Sequence, residues 1–161
     1  MTGPETVLRG ARFLILLGAV VAAAVFFRSC ERFTIPAQDQ SMDPTYPGGS
    51  TVYAERLSGK DPLARGADVV YTMESGGNTY VRYGRVRALP GDEVGERDGR
   101  ITVNGELVGP APIPGKAMGR VPEGTVLILA INPLETRYGD SRALGFIPRS
   151  RVIAVIRAQT W

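Results

Sequence analysis

Ser41 stands in the run Gln40-Ser41-Met42-Asp43-Pro44-Thr45, a hydroxyl just ahead of a proline-containing turn. Such a serine is either one more turn residue or a nucleophile. As a nucleophile it needs a base within about 3 Å. The chain restricts what that base can be. It has no histidine, which excludes a Ser-His-Asp triad and any histidine-bearing metal site. Its one cysteine, Cys30, excludes an intrachain disulfide and a thiolate zinc cluster. Lys60 and Lys116 are the only lysines; every other basic side chain is arginine. Lysine can lose its proton and serve as a base, whereas arginine stays protonated. No metal and no cofactor are expected.

The elements that must position Ser41 begin with an apolar segment. Phe13 to Phe27 (FLILLGAVVAAAVFF) carries no charge. A full membrane span needs about 20 residues. Gly10, Ala11, Ser29 and Cys30 extend the run, and Arg12 and Arg28 can snorkel to headgroups. The segment reads as one transmembrane helix over residues 13–29, after a tail of residues 1–12. A cleaved signal peptide is the rival, because Ala22-Ala23-Ala24 contains an A-x-A pattern. Arg9 and Arg12 on one side balance Arg28 and Arg32 on the other, so charge does not set the orientation.

Residues 30–161 read as one mostly β domain. Twenty glycines and 12 prolines favour turns and short strands over a helix bundle. Strands are expected at Thr51–Glu55, Asp68–Met73, Thr79–Leu89, Arg100–Val103, Glu106–Val108, Val126–Ile131 and Val152–Arg157. Asn104-Gly105 signals a type I′ hairpin. Pro110 to Gly119 reads as a loop. The net charge of +3 is dispersed and the aromatic fraction of 7% forms no stacking cluster, so nucleic acid is not an expected partner.

The order of motifs is more specific than any one of them. An apolar helix is followed by S-M-x-P-T, then P-G-G-x-x-V, then A-L-P-G-D, then Asp140-Ser141-Arg142-Ala143-Leu144-Gly145-Phe146-Ile147-Pro148. In this the chain resembles the type I signal peptidases, membrane-anchored serine proteases with a Ser-Lys dyad. The resemblance covers nearly the whole chain. It implies a signal-peptidase-like, partly closed antiparallel β-barrel with one N-terminal transmembrane helix. It implies a cytoplasmic tail, with the bulk of the chain outside the plasma membrane. Ser41 would be the nucleophile, and its backbone N–H an oxyanion donor. Signal peptides of exported proteins would bind as an added strand, with small residues in an A-x-A pattern. Ile35, Pro36, Met42, Tyr46 and Pro47 would touch substrate or the lipid bilayer. Asp140 and Arg142 would form a supporting ion pair.

Several positions depart from that pattern, among them Asn132-Pro133-Leu134-Glu135 where the family has G-D-N-R. The family's base is a lysine five residues before the leucine of L-P-G-D, followed by arginine. Counting back from Leu89 reaches Gly84, and Arg85 matches the arginine. Two before Asp140, the family's serine is Tyr138 here, a phenol expected to fill the hole left at Gly84. Two before Ser41, serine or glycine is replaced by Asp39, whose charge would oppose an oxyanion. Arg82 lies two before Gly84, on the same strand face, and can only stabilise anions. Lys60 and Lys116 sit in turn-like contexts and read as solvated surface. Two functions follow. One is a signal peptidase I-like endopeptidase cleaving after small residues. The other is an impaired homologue that binds signal peptides or partners, or supports a companion peptidase, without cleaving.

Overall fold

The computed structural model describes residues 12–21, 24, 30–58, 61–110, 116–132 and 139–160. It divides into a unit of residues 1–31 and a unit of residues 32–161. In the first unit, residues 12–21 are helical. Phe13, Leu14, Ile15, Leu16, Val20 and Val21 are all exposed there. Among the described residues, no helix is long and apolar enough to cross a membrane. The expected span over 13–29 runs on into residues outside the described set.

The second unit is mostly β. In chain order the strands are β1 (Cys30–Thr34), β2 (Thr51–Arg56), β3 (Asp68–Ser75), β4 (Asn78–Ala88), β5 (Glu93–Arg97), β6 (Arg100–Val103), β7 (Glu106–Pro110), β8 (Gly119–Arg120), β9 (Thr125–Leu129), β10 (Ile147–Pro148) and β11 (Val152–Thr160). A one-turn helix, α1 (Ser141–Leu144), precedes β10. The larger sheet has the order β1-β2-β11-β3-β4-β9-β10, and the smaller one β7-β6-β5-β8. Both run from edge to edge, so the strands close no barrel among the described residues. The expected fold therefore holds as mostly antiparallel β structure, arranged in two sheets.

Local chemistry explains the strands. Asn104 and Gly105 turn with φ of 51° and 84°, as a two-residue type I′ hairpin requires. Asp98 and Gly99 do the same between β5 and β6, with φ of 52° and 70°. The alternation of β2, buried at Val52 and Ala54, places those two side chains in a core with Ile35, Met42, Val70 and Tyr83. The opposite face of β3 and β4 supplies Val69, Tyr71 and Val86 to a second core with Val126, Ile128 and Ile147. The smaller sheet closes a third around Val94, Ile101, Val103 and Leu127.

One feature of the pairing positions the site. β4 pairs the whole length of β3, from Ser75 opposite Asn78 to Asp68 opposite Arg85. It pairs β9 only from Arg85 onward. Residues 78–84 of β4 thus have one ladder edge unpaired among the described residues. Beyond β9 the chain turns away from β4. Ile131 N–H and Asn132 N–H donate to the Ser41 carbonyl at 2.8 and 3.0 Å. The divergence opens a groove between β4 and the Ser41 turn.

Candidate active site

The Ser41 turn is fastened from both sides. Met42 is fully buried in the core next to Ile35, so the residue after Ser41 is an anchor. Tyr46 N–H donates to the Met42 carbonyl at 2.9 Å, and the Asp43–Pro44 peptide is cis. Asn132 Nδ2 donates to the Gln40 carbonyl at 3.0 Å. Ser41 itself is left beside a cavity of about 320 Å³. Gln38, Asp39 and Ser41 form one wall, Tyr80 to Tyr83 of β4 the other, and Tyr71, Ala130, Gly139, Asp140 and Arg142 complete it.

The expected bilayer or substrate contacts divide on burial. Ile35 and Met42 are 0% exposed. They belong to the core, where the expectation put them against substrate or bilayer: an apolar side chain beside a turn gains more by packing under it than by facing outward. Pro36 is exposed and lines the cavity. Tyr46 is half-buried and donates from its hydroxyl to Asp68 Oδ2 at 3.0 Å. Burial, then the Asp68 charge, push its phenol up to about 12.

Asp140 and Arg142 form the bolt at the end of the groove. Arg142 Nη2 lies 2.8 Å from Asp140 Oδ2, and both residues are buried. Asp140 also caps α1 by accepting from Arg142 N–H at 3.0 Å. It accepts from Ala130 N–H at 2.8 Å, which ties α1 to the chain leaving β9. Between them, Ser141 Oγ accepts from Ile128 N–H at 2.9 Å. Ser141 thus bonds β9 and Asp140 the residue just after it, with Arg142 paired to Asp140, and Asp140 and Arg142 reach the cavity wall.

Gly84, where the resemblance expects a lysine, is closed to a side chain. A Cβ on Gly84 would lie 2.6 Å from Ile128 Cγ2, 3.1 Å from the Leu129 carbonyl oxygen and 3.4 Å from the Tyr71 ring. Tyr138 lies outside the described residues. The expected hole is not there to be filled, because Ile128 and Tyr71 already stand against the glycine. Tyr71 is fully buried and donates to the Gly139 carbonyl at 2.7 Å. Burial, reinforced by Asp140, drives its phenol far above the ordinary range, so it holds its proton. Tyr83, across the strand, is pushed up to about 12 by burial and then by Asp39. Lys116 is exposed and absent from the cavity wall. Lys60 lies outside the described residues. Among the described residues, no lysine lines the cavity.

Asp39 and Arg82 are the residues whose role the sequence showed least clearly. Asp39 Oδ1 accepts from the Ser41 backbone N–H at 2.9 Å. An aspartate two residues ahead of a turn amide is a local capping pattern, the signal that was available in Asp39-Gln40-Ser41. Asp39 Oδ2 makes no hydrogen bond and lies 3.8 Å from Arg82 Nη1. Arg82 donates from Nε to Met73 Sδ at 3.4 Å and lies against Gly139, where a Cβ would be 3.0 Å from Nε. Ser41 Oγ is buried and has no hydrogen-bond partner among the described residues. The serine thus faces a groove with no base on its hydroxyl among the described residues, and with a carboxylate on its amide.

A signal peptidase I from Enterococcus faecalis V583 is similar at 21% identity and a TM-score of 0.44, over 60% of this chain and 98% of that one. No curated protein matches the chain. The family model for signal peptidase, peptidase S26, matches residues 10–161. The chain belongs to the signal peptidase S26 family.

Proposed function

We propose that this chain is a signal peptidase I-like membrane protein that receives the small-residue, A-x-A region of signal peptides in the groove beside Ser41, and that in its resting geometry it holds them without cutting. The unpaired edge of β4 over residues 78–84 carries the reading. An extended peptide adds to such an edge by main-chain hydrogen bonds, and alternate side chains then fall into the groove. Tyr80 and Val81, exposed at that edge, offer apolar contact. The exposed apolar helix of residues 12–21 supports anchorage in a membrane, and family membership supports the plasma membrane with residues 30–161 on its outer face. Absence of a base at Gly84 and the capped Ser41 amide support holding over hydrolysis. Lipid is a partner in this reading, and a companion peptidase would perform the cut.

A second reading is an active serine endopeptidase with Ser41 as nucleophile. It is favoured by the free Ser41 Oγ at the cavity and by the complete Asp140–Arg142 pair. One assay separates the two. Full chain in detergent is mixed with a photo-crosslinkable A-x-A signal peptide, and both adduct and cleavage are followed. The first reading expects adduct on the β4 edge and intact peptide. Cleavage that disappears in Ser41→Ala establishes the second.

A further inference from the structure

We propose that Asp39 converts the amide that would hold an oxyanion into a recognition point for the backbone N–H of an uncut peptide. The inference rests on the groove reading above and adds a ligand-contacting residue to it. Asp39 is 8% exposed, and its two oxygens do different things. Oδ1 takes the Ser41 N–H at 2.9 Å. Oδ2 is buried without a hydrogen bond, with Arg82 Nη1 at 3.8 Å, beyond hydrogen-bond reach. Ser41 Oγ is a second buried oxygen without a partner, and both residues line the same cavity.

Buried polar atoms nearly always have partners, so two orphans on one cavity wall define what the missing partner carries. Oδ2 can only accept; Oγ can donate or accept. An extended peptide supplies one N–H and one C=O per residue, which answers both. The unpaired β4 edge over residues 78–84 stands across the groove to hold that peptide in register.

The same carboxylate excludes the tetrahedral species of hydrolysis. An oxyanion on the Ser41 N–H would have to displace Oδ1 and stand beside its negative charge. Arg82 keeps Asp39 in place from the opposite wall without saturating it. The groove thereby prefers a neutral amide to an anionic tetrahedral centre, the reverse of a peptidase.

The test uses the full chain in detergent and two probes of one sequence. One is an A-x-A peptide ending in an amide. The other is the same peptide ending in a boronic acid. With the second, Ser41 Oγ adds to trigonal boron and its proton leaves to solvent, giving a tetrahedral anion. Wild type is expected to bind the amide probe more tightly. In Asp39→Gly the order reverses, with the boronate gaining roughly 10²-fold. Asp39→Asn, which can still cap the Ser41 amide but cannot accept at its Nδ2, loses affinity for the amide probe and gains for the boronate. Boronate outranking amide in wild type overturns the proposal and leaves the groove intact. Failure of both probes with wild type and variants alike overturns the groove and the proposal together.

Discussion

Ile128 Cγ2 stands 2.6 Å from the point where residue 84 would place a Cβ. The glycine on β4 and the isoleucine on β9 are therefore a fitted pair: no larger residue enters at 84 unless β9 yields. The volume that a lysine stem would need at this position is taken by the core.

Restoring that lysine should thus fail at the level of packing. Gly84→Lys is expected to lose about 1–3 kcal/mol of stability through overpacking. Gly84→Lys combined with Ile128→Ala, which removes the clashing Cγ2, should fare better than the sum of the two single losses. Urea denaturation of the four proteins checks this, and strict additivity would contradict the fitted pair.

The Asp140–Arg142 pair is a structural bolt as much as a site feature. Arg142→Met leaves a buried carboxylate facing an apolar side chain, and the expected cost is about 3–5 kcal/mol. Because Asp140 also binds Ala130 N–H, amide exchange at Ala130 should rise with it. A change below the usual spread for surface substitutions, about 0.5 kcal/mol, would show that the pair does not hold β9 to α1.

Alkaline pH should loosen the larger sheet. Tyr46 and Tyr83 are held up at about 12, by burial first and by Asp68 and Asp39 respectively. An unfolded tyrosine titrates near 10. Their contribution is complete below the unfolded value. It is lost as pH rises through the window up to the folded one, because there the native chain binds more protons than the unfolded chain. Denaturation midpoints across that window should fall for wild type and fall less steeply for Tyr83→Phe. Equal slopes would contradict the assignment.

Asp92 should act at the acid end. Burial works to raise its carboxyl, but Leu89 N–H, the Asn104 amide and Arg65 outweigh burial and hold it below its ordinary value. Its contribution is present above the unfolded carboxylate range and lost as pH falls through the depressed folded value. Asp92→Asn should flatten the acid limb of the stability curve. An unchanged limb would show that the Leu-Pro-Gly-Asp turn does not depend on that charge.

Much of this architecture was legible from local pattern. The β2, β3, β4 and β6 segments were readable because alternation and Gly-containing turns bound them, and Asn104-Gly105 turns where its chemistry requires. β5 was missed, although Asp98-Gly99 is the same kind of signal one hairpin earlier. β8 and β10 are two-residue pairings that exist only because β5 and β9 are beside them. In the site, Ser41, Asp140 and Arg142 were marked by their order along the chain. Tyr71 against Gly84 was not, because that contact depends on the register of β3 on β4. Ile35 and Met42 were misplaced for a similar reason: apolar character names a buried residue but not the surface that buries it.

The most direct measurement is a cleavage assay on a preprotein with an A-x-A signal sequence, using full chain in detergent, wild type beside Ser41→Ala and Asp39→Gly. Wild type is expected to bind the preprotein and leave it intact, at a rate indistinguishable from Ser41→Ala. Turnover by wild type that vanishes in Ser41→Ala would contradict this.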